Sequence, residues 1–528
     1  MLEELHRRGV REIPGVPGDY ILPFVRELQD FDGMENMAMV AEGDAAWAAN
    51  LIGRKQLSAC YATFMVGCLN MLNGVCDATK NLGASSLVII GGEVALADRG
   101  ADYILHHETE ASSCSMQEEI FQMLLGNEYA KSITDISTAA KDIAWLITLA
   151  HEEHRPVYIG IPKDLWDMRI KKSSFSAGRK KNAEISLLPH NVNKAKERIE
   201  CASRPVILVG TRAERFGLVP LLQRFAKKYG IPVAAAYHGR GAYPPNDPFF
   251  IGTYAAQASF PPDIQKIVED SDCLIKVGVV DCDMAYGLRP PRLGEGDIVM
   301  EAGEVSRVFL EHLIEAREFR KDPSYPRSFS YRMNTDTYCY FSEPLDNSRA
   351  IAISDISPII HQTLQDYPDT PIVADIGNAM AIPVVAVGGY YTSAYGAMGV
   401  TVGAIGLEKA FGERPLVIVG DGAFGMWSLG SILTLRKYGS KQVIIVLNNE
   451  GWGMLRPIAG NVPYLDIPSG NFEKLTEVAG CGLGFRVETP AQFAHALRES
   501  FAADTFSITN VILQKDDTAD TIRRFMTT

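Results

Sequence analysis

Leu416-Val417-Ile418-Val419-Gly420-Asp421-Gly422-Ala423 opens, and Val443-Ile444-Ile445-Val446-Leu447-Asn448-Asn449 closes, the segment that decides the fold. Each apolar run has strand length and few polar interruptions, as in strands buried on both faces. Between them, Trp427 to Lys437 reads as a helix. A strand–helix–strand unit of this kind presents Asp421 and Asn449 at strand carboxyl ends, where open α/β sheets bind ligands. A carboxylate and an amide oxygen are hard donors that suit Mg²⁺, which keeps few protein ligands and fills its octahedron with phosphate oxygens and water. Gly422 lets the backbone approach an anion, and the following helix start offers N–H donors. Gly-Asp-Gly alone is an ordinary tight turn. The 25 residues that separate Gly422 from Asn448, with a strand at each end, give the pair its meaning.

Outward from this unit the same alternation continues. Leu87–Ile90, Val157–Ile161, Val206–Val209, Val233–Ala236, Cys273–Val280, Ile372–Ala374 and Val511–Gln514 read as further strands between helix-length segments. The class is α/β, with three doubly wound parallel-sheet domains. A Lys/Ser-rich stretch near 168–190, ending at Leu188-Pro189-His190, and a polar, Pro-containing stretch near 320–350 divide the chain into domains 1–167, 185–325 and 350–528. Each is of ordinary domain size. The thirds could be related folds, which the sequence alone does not prove.

Composition excludes other classes. The 528 residues carry a net charge of −13 and are 47% hydrophobic and 22% charged, so neither disorder nor a phosphate-backbone tracking surface is expected. The basic stretch Lys171, Lys172, Arg179, Lys180 and Lys181 reads as a solvated linker. No nucleic acid and no membrane partner is expected, since no apolar run reaches the length of a bilayer span. The nine cysteines, Cys339 among them, are scattered without a CxxC pair, which fits free thiols and a cytoplasmic location.

Gly420-Asp421-Gly422 followed at this interval by Asn448-Asn449 resembles the thiamine-diphosphate signature. The resemblance implies Mg²⁺ held by Asp421, Asn449 and the carbonyl of Gly451, with Asn378, just past Ile372–Ala374, contacting the diphosphate. It extends over essentially the whole chain. Glu42 in Glu42-Gly43-Asp44-Ala45-Ala46-Trp47-Ala48-Ala49 matches the family's Glu-x-x-Ala-Ala-x-Ala-Ala pattern and is the implied partner of the aminopyrimidine, a role that needs a poorly solvated carboxyl. Tyr395-Gly396-Ala397-Met398-Gly399 is similar to the segment that bends the cofactor, with Met398 the apolar wedge and the Gly396 carbonyl an acceptor for the amino group. Gly15-Val16-Pro17-Gly18-Asp19 and His106-His107 resemble the pyruvate and indolepyruvate decarboxylase branch, where Asp19, His106 and His107 would move protons. Gly210-Thr211-Arg212 lacks the complete glycine pattern of a dinucleotide site.

One departure bears on substrate. Pyruvate decarboxylases carry a second catalytic Glu where this chain has Leu455, and Met454-Leu455-Arg456 resembles the phenylpyruvate decarboxylases instead. Asp283 aligns with an Asp near the site in that branch and is expected to take part of the missing proton handling. Met380, Trp452, Met454 and Leu455 then imply a pocket for a bulky or aromatic 2-oxo acid, decarboxylated to the aldehyde and CO₂. The resemblance also implies a homodimer or homotetramer with active sites at the subunit interface. A carboligase or flavin-dependent oxidase of the acetolactate synthase or pyruvate oxidase type, and a non-catalytic cofactor-binding paralogue, stay open on sequence alone.

Overall fold

The computed structural model describes residues 1–80, 85–100, 104–109, 113–170, 188–286, 298–300, 303–315, 347–382, 388–427 and 429–526. Most of both expected linkers, the basic stretch Lys171–Lys181 and Cys339 lie outside these residues.

Three parallel sheets follow one another along the chain. The first holds β1 (Glu12–Gly15), β2 (Glu35–Ala38), β3 (Ser58–Ala62), β4 (Leu87–Glu93), β5 (Ala130–Ser132) and β6 (Pro156–Pro162), in the order β2-β1-β3-β4-β6-β5. The second holds β7 (Pro205–Val209), β8 (Val233–Ala236), β9 (Phe250–Tyr254), β10 (Cys273–Val277) and β11 (Ile298–Met300), in the order β11-β10-β7-β8-β9. The third holds β12 (Ile372–Ala374), β13 (Tyr390–Tyr391), β14 (Leu416–Gly420), β15 (Val443–Asn448), β16 (Leu483–Val487) and β17 (Ser507–Ile512), in the order β13-β12-β14-β15-β17-β16. Counted from its own first strand, the third sheet repeats the order of the first. The α/β class with three parallel-sheet domains is thus the one the chain adopts.

Central strands such as β3, β4, β14 and β15 are buried along essentially their whole length. Long apolar runs marked β4, β14 and β15 in the sequence, whereas β3, built of Ser58-Ala59-Cys60-Tyr61-Ala62, and the edge strands β2 and β16, polar on one side, left no such mark. Three sequence boundaries are corrected. Cys273–Val280 ends as a strand at Val277, because Gly278 turns at φ +63°; a methyl group there would lie 2.3 Å from the Ala213 backbone nitrogen. The last strand begins at Ser507, not Val511, since its buried Ser507, Thr509 and Asn510 broke the apolar pattern. The helix expected over Trp427–Lys437 begins at Leu429, and a separate short helix, Asp421–Gly425, precedes it.

The first and third domains share one continuous apolar core, which runs from Leu5 through Trp47 and Leu51 to Val400, Ile405 and Ile508. The Glu42–Gly53 helix makes this possible. Its Ala45, Ala46, Ala48 and Ala49 are fully buried. Methyl groups on Gly403 and Gly406 would lie 2.5 Å from the Trp47 carbonyl and 2.4 Å from the Ala48 carbonyl. Two backbones approach so closely only where one supplies glycine.

Candidate active site

The third sheet ends in a polar cradle. Asp421 starts the helix after β14 and is almost fully buried. Its Oδ1 accepts the Gly422 N–H at 2.8 Å and its Oδ2 the Gly451 N–H at 3.0 Å. Burial pushes its carboxyl up to about 6, opposed by the N–H groups of Gly422, Gly451 and Glu450. Asn449, directly past β15, is equally buried, and its Nδ2 has no partner among the described residues. A methyl group at Gly453 would sit 2.2 Å from that Nδ2 and 3.0 Å from Asn378 Nδ2. Gly453 therefore leaves room for two amides beside the Asp421 carboxylate. Asn378 opens the short helix after β12, and its Oδ1 accepts the Ala519 N–H at 3.1 Å. The Gly451 carbonyl accepts from the Gly453 N–H at 2.8 Å and retains a second lone pair. Trp452 covers Gly422, where a methyl group would lie 2.6 Å from the indole.

Two buried carboxylates that the sequence motifs do not include fix the Gly396–Met398 segment. Asp375 accepts from the Gly399 N–H at 3.1 Å and the Thr401 hydroxyl at 2.7 Å. Asp77, on the helix Leu72–Lys80 of the first domain, accepts from Ser393 Oγ at 2.9 Å and the Ala394 N–H at 2.8 Å. It also pairs with Arg54 at 2.6 Å, and Arg54 donates onward to the Thr392 carbonyl at 2.9 Å. Met398 lies half-buried against the shared core, and Gly396 turns at φ +84°. No sequence motif marked Asp77 or Asp375, because each acts through backbone distant in the chain. The first Asn of the Asn-Asn pair is structural in a comparable way, with Asn448 Nδ2 bonding Asn510 Oδ1 at 3.0 Å and the Gly470 carbonyl at 3.2 Å.

The first sheet contributes acids and imidazoles at its own carboxyl edge. Glu42 opens the helix after β2, and its Oε2 accepts from Asn70 Nδ2 at 3.2 Å within the same domain. Asp19 lies past β1 and His106 and His107 past β4. The structure brings these three together, with one ligating atom of each within 4.8 Å of the others. His106 Nε2 is 3.0 Å from Asp19 Oδ2. Tyr20 stacks on His106 with ring centroids 5.0 Å apart, and its hydroxyl is 3.4 Å from Nδ1. Burial, with Asp19 and Glu108 nearby, pushes the Tyr20 phenol up to about 12, so it stays a donor. Among the described residues five non-glycine residues have positive φ, and three of them, Met65, His107 and Glu450, flank these groups. Backbone strain of this sort gathers at functional sites.

Asp283 stands exposed past β10, capping the Met284 N–H at 2.9 Å. Met454 is half-buried against the third domain's core and Leu455 is 45% exposed. Met380 is buried, its side chain packed with Tyr237, Ala255, Ala258 and Phe525 at the junction with the middle domain. Its carbonyl accepts from Tyr237, Arg240 and Tyr390.

Comparison with known proteins agrees with the three-domain organisation. Residues 1–122 match the thiamine pyrophosphate enzyme N-terminal TPP binding domain, 192–299 the central domain and 375–511 the C-terminal TPP binding domain. The chain is 25% identical to indole-3-pyruvate decarboxylase of Azospirillum brasilense, with 100% of this chain and 97% of that protein covered. It is 26% identical to pyruvate decarboxylase 1 of Pisum sativum (97% and 89% covered) and 27% identical to pyruvate decarboxylase 3 of Arabidopsis thaliana (98% and 90% covered). With all three domains matched in order, the chain belongs to the thiamine pyrophosphate enzyme family, in the branch of the indolepyruvate and pyruvate decarboxylases.

Proposed function

We propose that the protein carries out Mg²⁺-dependent, non-oxidative decarboxylation of a bulky or aromatic 2-oxo acid to the aldehyde and CO₂. The Asp19–His106–His107 cluster carries this reading, because proton delivery at that spot is what separates aldehyde release from other fates of the substrate. The cradle of the third domain fits thiamine diphosphate. Asn449 is buried with an unpartnered amide, Asp421 is desolvated, and Gly453 leaves the space that a side chain would fill. Asp421, Asn449 and the Gly451 carbonyl would hold Mg²⁺, and Asn378, Gly422 and Ala423 would meet the diphosphate. When bound, thiamine diphosphate supplies the electron sink for the pair left behind by CO₂.

The protein's own groups do the rest. Glu42 offers a carboxyl to the aminopyrimidine, the Gly396 carbonyl accepts from its amino group, and Met398 wedges the cofactor. Within one chain Glu42 bonds only Asn70 among the described residues, so its meeting with the metal cradle is assigned to a second protomer. Exposed Val66, Leu69, Met426 and Leu429 support such an assembly as a homodimer or homotetramer. Asp19 and Tyr20 orient His106, which with His107 delivers the proton that replaces the carboxylate. Asp283 is assigned an auxiliary part in that transfer. Trp452, Met454 and Leu455 supply apolar wall, and methionine adapts to several side-chain sizes. A cytoplasmic location accords with eight free cysteines among the described residues and no helix long and apolar enough to cross a membrane.

The test is CO₂ and aldehyde release from a panel of 2-oxo acids with thiamine diphosphate and Mg²⁺. Higher kcat/KM for phenylpyruvate than for pyruvate is expected. Acyloin without free aldehyde, or a flavin-coloured preparation, overturns the reading.

A further inference from the structure

The Asp19–His106 pair has a neighbour that no motif announced. Lys163 begins the turn after β6, two strands from β3 and beside β4, and its Nζ lies 3.6 Å from Asp19 Oδ2. This is the same oxygen that His106 Nε2 approaches at 3.0 Å. The ammonium also stands 5.5 Å over the Tyr20 ring, so it faces the aromatic that stacks on His106. The backbone beneath it is pinned. The carboxylate of Asp164 accepts from the Leu96 N–H at 2.9 Å and the Ala97 N–H at 3.2 Å, at the base of the segment that leads to His106 and His107. One short turn thereby ties β6 to the histidine-bearing segment and aims a cation at Asp19.

The placement has an electrostatic consequence. A 2-oxo acid is an anion, and Asp19 and Glu108 make its destination negative. Without a cation, substrate carboxylate and Asp19 repel one another across a partly desolvated gap. Lys163 is about half-exposed, so its pull is screened and modest, but it acts on the approach of every substrate molecule. We propose that Lys163 is a positioning residue of this site, an ammonium that holds the shared Asp19 oxygen toward His106 and offsets its charge so that the substrate carboxylate can enter. The proposal rests on the decarboxylase reading for the identity of the anion, and on the geometry alone for the contact.

Lys163→Met and Lys163→Arg in the full-length protein, loaded with thiamine diphosphate and Mg²⁺, test it. Lys163→Met is expected to raise KM for phenylpyruvate about fivefold, with a smaller change in kcat, and to flatten the fall of kcat/KM with added salt. Lys163→Arg is expected to restore both, and cofactor affinity measured by calorimetry stays at the wild-type value in each. An unchanged KM and an unchanged salt dependence in Lys163→Met overturn the proposal, as does a loss that Lys163→Arg fails to rescue. Should the wild-type protein decarboxylate nothing, the decarboxylase reading fails separately. Binding of methyl acetylphosphonate, whose phosphonate stands in for a carboxylate, then decides the contact. Weaker binding by Lys163→Met supports it, and equal binding overturns it.

Discussion

His238 sits past the end of β8 with neither ring nitrogen partnered among the described residues, and burial together with Arg240 pushes it down to about 4. His361 is pushed to about 4 and His154 to about 3, burial being the leading cause in each. A lowered folded-state value means that the unfolded chain binds the proton first as pH falls. Each histidine's contribution is therefore complete above its ordinary value of 6.5 and is lost on acidification toward its folded value, at up to about 1.4 kcal/mol per pH unit. His238→Gln is expected to make melting temperature less sensitive to acidification between pH 7 and pH 5. A slope unaltered by the substitution would assign the acid sensitivity to other groups. Single residues were unevenly legible in the sequence. Asp421, Asn449, Asp19, His106 and His107 stood out because their spacing or pairing sits at strand ends, whereas Asp77, Asp375 and Lys163 each act on residues that lie far away in the chain.

The Glu42–Gly53 helix was recognisable as a run of small residues after an acid, but which surface it meets was not. Its partner is the Val400–Phe411 segment, where Gly403 and Gly406 admit the Trp47 and Ala48 carbonyls. Gly403→Ala is expected to destabilise the protein by about 1–3 kcal/mol, read from denaturant unfolding, since neither backbone can retreat inside a packed core. Gly453→Ala acts on a different quantity. Its methyl group would strike the Asn449 amide, so Mg²⁺-dependent cofactor binding by calorimetry is expected to fall more than about tenfold, with the melting temperature of the cofactor-free protein little changed. Strand positions followed the same logic. Strands such as β4, β14 and β15 announced themselves by apolar runs, while β17 hid its start behind Ser507, Thr509 and Asn510, polar residues buried inside the sheet.

For the whole molecule, three sheets and their succession along the chain were legible, and their mutual packing was not. Strands in the first and third sheets line up their carboxyl ends with the acids, imidazoles and amides described above, and the Arg54–Asp77 pair fastens one domain to the other through Thr392, Ser393 and Ala394. Asp77→Ala would leave the largely buried Arg54 without its ion pair and free the Ser393–Tyr395 backbone, and a loss of about 3–5 kcal/mol in stability is expected from urea unfolding. Sequence gives no hint of such a clamp, because Asp77 and Ser393 are 316 positions apart.

The repeated strand order has a last implication, for division of labour. On the proposed function, the two halves of like strand order divide the work, the leading one in proton traffic and the trailing one in anion and metal capture. If each working centre draws one half from either chain, two crippled chains can rescue each other. A Glu42→Gln chain mixed with an Asp421→Ala chain would then rebuild one sound centre in every hybrid pair, and activity would return on co-expression of two proteins that are each inert alone. A centre confined to a single chain would allow no such rescue.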